Sequence, residues 1–186
     1  MSSAPLNVGT AGRRIFIGKL AGTSVFDPLG EKVGVIHDVV VTFRLHSTAN
    51  VIGFVVEVGP RKRVFLPFTR VTAIEAGSVI TTGLLNIRSF TQRPVETLVI
   101  TELFDREVTM NDGSGTVKIL DVAMQQRRPR DWIISTLHVQ RIRTTALGFK
   151  RGGTTMTVGV DEVSSLLKTD SNQAATALIQ QTEDMK

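Results

Sequence analysis

Few side chains of this sequence could take part in chemistry. The chain of 186 residues has three histidines and no cysteine, which excludes disulfides, thiolate nucleophiles and thiolate metal sites. His37, His46 and His138 lack a second histidine or a carboxylate at metal-ligand spacing. No G-x-S-x-G segment supplies a nucleophile elbow, and "NDGSG" at 111–115 lacks the Lys-Ser/Thr of a phosphate loop. The sequence therefore predicts a protein that is not an enzyme.

Two aspartates, Asp38 and Asp121, occupy equivalent positions in a repeated segment. Residues 20–41 (LAGTSVFDPLGEKVGVIHDVVV) align without a gap with residues 103–124 (LFDREVTMNDGSGTVKILDVAM) at an offset of 83 (103 − 20). Six of the 22 aligned positions are identical: Leu20/Leu103, Val25/Val108, Gly30/Gly113, Ile36/Ile119, Asp38/Asp121 and Val39/Val122. A repeat of this kind indicates one small folding unit used twice.

The shared aspartates could accept backbone hydrogen bonds at a bulge or bind a cation. A structural role is favoured, because one carboxylate supplies too few of the oxygen ligands that Ca²⁺ or Mg²⁺ requires. If Mg²⁺ is sensed, the adjacent Glu183 and Asp184 are better candidates. We expect no cofactor and at most weak binding of Mg²⁺.

The composition is that of an ordinary soluble domain with 41% hydrophobic and 21% charged residues. The net charge of +5 lies in the first half, where 11 Lys and Arg face 5 Asp and Glu, against 11 and 12 in residues 96–186. A basic first unit suits anionic lipid, nucleic acid or an acidic partner. No apolar run is long enough for a signal peptide or a bilayer span, so we expect a cytoplasmic protein.

Both copies show short strand-type segments separated by turns, and neither contains a long helix. In the first copy these segments are TSVFD, KVGVIHDVVVTF, VIGFVVEV and KRVFLPF. The pattern predicts two small closed or half-closed β-barrels. The predicted cores comprise Val25, Ile36, Val39, Val56 and Val71 in the first barrel and Val108, Ile119, Val122, Leu137 and Val163 in the second.

The domain boundaries follow from the repeat and from the extended Arg93-Pro94 step between the copies. We predict a flexible arm at 1–14, a first barrel at 15–92, a linker at 93–100, a second barrel at 101–168 and the start of a helical domain at 169–186. The helix is indicated by Ala174, Ala177 and Leu178, which lie near helical spacing. Because this helix has little to pack on, we expect the polypeptide to continue beyond Lys186.

The first copy resembles the PRC-barrel, a small β-barrel found in the cytoplasmic part of the photosynthetic reaction centre and in the ribosome-maturation factor RimM. The resemblance rests on the strand pair of residues 20–41 that ends in Asp38, and on a V-x-x-P-x-x-x-V element from Val64 to Val71. It covers residues 15–85 well. The second copy, at about 100–168, matches less closely, because Gly159 replaces the proline and Thr116 replaces Val33.

The tandem arrangement followed by "AATALIQQTEDMK" resembles the N-terminal part of actinobacterial proteins with two PRC-barrels, an MgtE-type helical domain and a CBS pair. This resemblance implies a non-catalytic regulatory or interaction module of a magnesium-transport-associated protein, at the inner face of the membrane. The alternative is an RNA- or ribosome-associated adaptor similar to RimM, although the absence of tyrosine leaves few aromatic rings for base stacking. The implied partners are a protein or further domains of the same chain; nucleic acid is disfavoured, and a homodimer and a peripheral membrane contact stay open.

Two features are candidate partner-binding sites. Arg61, Lys62 and Arg63 follow the Gly59-Pro60 turn and form the densest basic cluster of the first unit. They are expected at a hydrated hairpin tip, where they either meet an acidic surface or only confer solubility. Trp132, the only tryptophan, is expected either in a core or at a contact between the barrels.

Overall fold

The computed structural model describes residues 12–43, 49–83, 88–164 and 166, which are mainly β-structure. The first seven strands are β1 (Arg14–Phe16), β2 (Ser24–Phe26), β3 (Lys32–Thr42), β4 (Asn50–Glu57), β5 (Arg63–Pro67), β6 (Val71–Glu75) and β7 (Ser78–Thr81). The other six are β8 (Glu96–Leu98), β9 (Glu107–Met110), β10 (Thr116–Arg128), β11 (Asp131–Thr144), β12 (Lys150–Gly159) and β13 (Val163–Ser164). Single helical turns are formed by Ile17–Lys19, Phe68–Arg70, Val99–Leu103 and Val160–Glu162.

The order of the elements repeats along the chain. A short leading strand and a helical turn precede a strand pair, β2–β3 in the first unit and β9–β10 in the second. A long hairpin follows in each, β4–β5 or β11–β12, then a helical turn and a last strand, β6 or β13. All ten predicted core residues are buried. Strand β7, which lies between β2 and β6, has no counterpart among the described residues of the second unit.

Local sequence explains the tight turns that connect β2 to β3 and β9 to β10. Asp27 Oδ1 accepts the N–H groups of Leu29 and Glu31 at 2.9 and 2.8 Å. In the second unit Asp112 Oδ1 accepts the N–H of Ser114 at 2.8 Å, and hydrogen bonding by the Ser114 side chain and N–H lowers the pKa of Asp112. The glycines that close these turns, Gly30 and Gly113, have φ angles of 84° and 77°, which favour glycine.

The two units exchange their leading strands. Strand β1 pairs antiparallel with β10 of the second unit, with Ile15 opposite Met124. Strand β8 in turn pairs with β3 of the first unit, with Leu98 opposite Val40. A further bridge joins Ile133 of β11 to Asn50 of β4. Each unit therefore depends on a strand that precedes the other unit in the sequence.

The sheet is open rather than closed, so the prediction of two tandem barrels is not confirmed. Its main path runs β13-β9-β10-β11-β4-β3-β2-β7-β6, and β1, β12, β5 and β8 each attach to one strand of this path. Most strands pair within their own unit, but three pairings, β1–β10, β3–β8 and β4–β11, join the units, and no pairing among the described strands closes either unit on itself.

The structure shows strands in parts of the predicted arm and of the predicted linker. Arg14, which was predicted in the flexible arm, belongs to β1, and Glu96–Leu98 in the predicted linker form β8. Residues 1–11, His46 and the predicted helix at 169–186 lie outside the described residues. No helix in the described part of the chain is long and apolar enough to cross a membrane.

Candidate functional site

The repeated aspartates accept hydrogen bonds from the helical turns that follow the exchanged strands β1 and β8. Asp38 is fully buried in β3 at a bulge, where the pairing with β4 shifts between Ile36 and Asp38. Its Oδ1 accepts the N–H groups of Val39 at 2.7 Å and Ile100 at 2.8 Å. Its Oδ2 accepts the N–H of Thr101 at 2.9 Å and the hydroxyl of Thr101 at 2.7 Å. Three of these hydrogen bonds, from Ile100 and Thr101, hold the helical turn after β8 against the first unit.

Asp121 makes the reciprocal contact from the second unit to the first. It too lies at a bulge, and its Oδ1 accepts the N–H groups of Val122 at 2.7 Å and Gly18 at 2.9 Å. Gly18 aligns with Thr101 in the repeat. A Cβ atom at Gly18 would lie 2.6 Å from Asp121 Oδ2, so a larger residue there would displace the Asp121 carboxylate. The structure therefore gives both aspartates a positioning role.

Aromatic side chains from both units meet at Trp132. The Trp132 ring is 5% exposed and lies 5.9 Å from the Phe68 ring, centroid to centroid. Phe68 also contacts Phe54, at 5.4 Å. Trp132 is thus both a core residue and a contact between the units, the two roles that its sequence position left open.

A groove opens above this aromatic junction. Its volume is about 260 Å³, below the range of roughly 300–1,000 Å³ that is usual for small-molecule sites. It is lined by Arg13, Phe68, Val71, Thr72, Ala73, Ile74, Gln126, Pro129, Arg130 and Trp132. We call this cavity the inter-unit groove. Its size suits one or two side chains of a partner better than a cofactor.

One wall of the inter-unit groove is the edge of a strand. Four consecutive residues of β6, 71–74, line it, although successive side chains of a strand point to opposite faces. The cavity therefore follows the backbone edge of β6. Among the described residues β6 pairs only with β7, so its other edge has no strand partner in the part of the chain that the structure shows.

The rim of the inter-unit groove is basic. Arg13 and Arg130 are both exposed, and the lining contains no acidic residue. The nearby Asp131 carboxylate is engaged by Arg127, whose Nε lies 2.9 Å from Asp131 Oδ2. Arg130 has a φ of 63°, in the left-handed region that favours glycine. The sequence singled out Trp132, but the groove itself was not predicted.

The predicted basic cluster lies at the end of the β4–β5 hairpin, with Arg61 and Lys62 in the turn and Arg63 at the start of β5. Arg61 and Arg63 are exposed and Lys62 is half-buried. Arg63 Nε lies 3.6 Å from Glu57 Oε2, so a neighbouring acid offsets part of the charge. These residues and Trp132 do not form one site. The cluster lies at the start of β5, whereas Trp132 packs on Phe68, which follows the other end of β5.

The histidines do not form a site in the described structure. His37 is half-buried at the β3 bulge, and His138 is half-buried opposite Asp121 on β11. The described residues contain no group of three or more His, Asp or Glu side chains that could hold a metal ion.

Two family models match the chain, one for each unit. Residues 13–84 match the PRC-barrel domain, and residues 97–169 match the Actinomycetes SH3 domain. A PRC-barrel domain is therefore found in the first unit and an actinomycetes SH3 domain in the second. The predicted resemblance is confirmed for the first unit, whereas a second PRC-barrel and a link to MgtE-type proteins are not shown. No curated protein matches the chain.

Proposed function

We propose that this protein is a non-catalytic interaction module and that the inter-unit groove holds an extended segment of a protein partner. The observation that carries the proposal is the edge of β6 that has no strand partner among the described residues and lies beside an aromatic floor built from both units. Extended peptides bind such edges by adding a strand, with backbone hydrogen bonds for affinity and pockets for alternate side chains.

The charge at the rim indicates the chemistry of this segment. Arg13 and Arg130 flank the groove without an acidic residue in its lining, so a carboxylate of the partner would meet two guanidinium groups. Arginine binds carboxylates in a planar, two-point geometry. The preferred segment is therefore extended, with one apolar side chain for the floor and an Asp or Glu nearby.

The domain families support an interaction role. PRC-barrel and SH3 domains are in general non-catalytic, and the described residues contain no cluster that could hold a metal ion. We extend the proposal, on sequence resemblance alone, to a tandem PRC-type module of a magnesium-transport-associated protein at the inner face of the membrane. Sequencing the gene beyond the codon for Lys186 tests this extension: a helical domain followed by a CBS pair supports it, and an immediate stop codon contradicts it.

Trp132 is the single tryptophan and lines the inter-unit groove, so its fluorescence reports what enters. We would screen a peptide library on the full chain and titrate the binders while following Trp132 emission. Binders should be extended and acidic, and they should shift the emission. The charge-reversal variant Arg13→Glu/Arg130→Glu should weaken them at least about tenfold, since it turns attraction into repulsion.

The matched control is Lys19→Glu/Lys32→Glu, which changes the net charge equally at exposed positions outside the groove lining. This variant should retain binding within about twofold, because distant surface charges are screened by salt. If binders leave Trp132 emission unchanged, or if both variants weaken them equally, the groove is not the binding site.

A further inference from the structure

The hairpin formed by β11 and β12 carries apolar side chains at an exposed tip. Leu147 is 84% exposed and Phe149 is 68% exposed. The tip is ordered by three hydrogen bonds: Thr145 N–H to the Phe149 carbonyl (2.9 Å), Gly148 N–H to the Thr145 carbonyl (2.8 Å) and Phe149 N–H to Thr145 Oγ1 (3.1 Å). A fixed turn therefore presents both side chains to solvent.

The fold does not require apolar residues at this tip. The corresponding β4–β5 turn of the first unit is closed by the same type of hydrogen bond, Val58 N–H to the Lys62 carbonyl at 2.9 Å. Pro60 stands there at the place of Leu147, and Lys62 at the place of Phe149. The first unit thus builds its turn without a large exposed apolar side chain, and Leu147 and Phe149 need another explanation.

Two arginines face each other below the tip. Arg143 of β11 and Arg151 of β12 are directly opposite in the register, and both are exposed. Like charges in directly opposite positions destabilise a strand pair. No acidic residue occurs between positions 132 and 160; the adjacent Lys150 is engaged by Glu107, whose Oε2 lies 2.7 Å from Lys150 Nζ. An anion placed between Arg143 and Arg151 would relieve the repulsion.

We propose that the β11–β12 tip binds an anionic phospholipid surface. Leu147 and Phe149 enter the interfacial layer, and the pair Arg143/Arg151 binds lipid phosphate behind them. Peripheral segments bind anionic membranes through apolar side chains combined with cations. A free phosphate would satisfy the arginines but would leave the apolar tip in water, and this difference favours a lipid surface.

The test measures co-sedimentation of the full 186-residue chain with two kinds of vesicle, pure phosphatidylcholine and phosphatidylcholine with an equal amount of phosphatidylglycerol. We expect binding to the anionic vesicles that falls with added salt, and little binding to the neutral ones. The variants Leu147→Ser/Phe149→Ser and Arg143→Gln/Arg151→Gln should each lower the partition coefficient on the order of tenfold.

The matched control Leu29→Ser/Val95→Ser removes two exposed apolar side chains from other turns, where they are 87% and 67% exposed. It should bind anionic vesicles as the unmodified chain does. Thermal unfolding of every variant checks the fold, and Arg143→Gln/Arg151→Gln should unfold no earlier than the parent because it removes a like-charge pair.

Three results would overturn the proposal. The first is no preference for anionic vesicles, and the second is equal binding by the tip variant and the control. The third is that inorganic phosphate or single-stranded RNA binds through Arg143 and Arg151 while vesicles do not bind. Because none of these variants lies in the inter-unit groove, failure here leaves the peptide-binding test of the groove unaffected.

Discussion

At the scale of single residues, the shared aspartates differ in how many donors they serve. Asp38 accepts four hydrogen bonds through both carboxylate oxygens. Asp121 accepts its two hydrogen bonds through Oδ1 alone. The repeat preserved the residue type, while the second partner segment supplied Thr101 where the first has Gly18.

This difference predicts unequal costs for the same substitution. In Asp38→Asn the amide NH₂ would face the Thr101 N–H, so we expect a loss of about 2–4 kcal/mol in the free energy of unfolding. In Asp121→Asn the remaining carbonyl oxygen keeps both contacts, and the loss should stay below about 1.5 kcal/mol. Urea unfolding followed by circular dichroism gives both values; equal losses would contradict the assigned bonding.

Arg130 and Arg61 allow a second matched comparison, because both have left-handed backbones, with φ of 63° and 59°. Replacing either by glycine relieves the backbone and should raise the free energy of unfolding by up to about 1 kcal/mol, less the added entropy of the unfolded glycine. Only Arg130→Gly should weaken acidic peptides in the inter-unit groove. Parallel unfolding and fluorescence titrations check both effects, and equal weakening by Arg61→Gly would argue against the groove.

Arg61–Arg63 remain a predicted partner-binding site, on a surface outside the inter-unit groove. Replacing all three by serine should change the free energy of unfolding by less than about 1 kcal/mol, since the only ion pair shown for them is the exposed Arg63–Glu57 contact. If an acidic partner docks on this tip, its affinity should fall in the variant and should show salt dependence in the parent. Unchanged affinity at low salt would assign the cluster to solubility alone.

At the scale of elements, strand exchange makes the two units interdependent. A fragment that ends at residue 92 lacks β8 and the turn that satisfies Asp38. A fragment that ends at residue 104 regains both. We expect the longer fragment to unfold at a higher temperature, because a buried carboxylate without its donors is costly.

Circular dichroism melts of the two fragments, with Asp38→Asn in the longer one as the control, test this prediction. The substitution should remove most of the gain. Equal melting temperatures for the fragments ending at 92 and 104 would show that β8 contributes nothing to the first unit.

The sequence predicted the strands and core of each unit because strand-type residues such as Val and Ile are concentrated in long segments such as β3 and β10. The repeat placed the two aspartates, and their position in mid-strand correctly indicated backbone hydrogen bonds at a bulge. Strand exchange was not predictable, because β1 and β8 have three residues each, too few for a periodic pattern. The inter-unit groove was not predicted either, because its walls come from segments that meet only through strand pairing across the units.

At the scale of the whole molecule, the chain joins two small domains into one continuous sheet with distinct exposed surfaces. The inter-unit groove depends on both units being assembled, since Phe68 comes from the first and Trp132 from the second. The β11–β12 tip belongs to the second unit alone. The inter-unit groove and the tip therefore share no residue. The two proposed functions can each be removed separately by its own variants.

The described residues give Mg²⁺ little to bind. A tight Mg²⁺ site needs several oxygen ligands at near-octahedral positions. The carboxylate of Asp38 is occupied by four protein donors, and no cluster of three His, Asp or Glu side chains exists in the described ranges. We therefore expect isothermal titration of the chain with Mg²⁺ to give no site tighter than about 1 μM. A sub-micromolar isotherm that disappears with Asp38→Asn would contradict both this expectation and the positioning role assigned to that aspartate, because metal binding would have to displace Ile100 and Thr101.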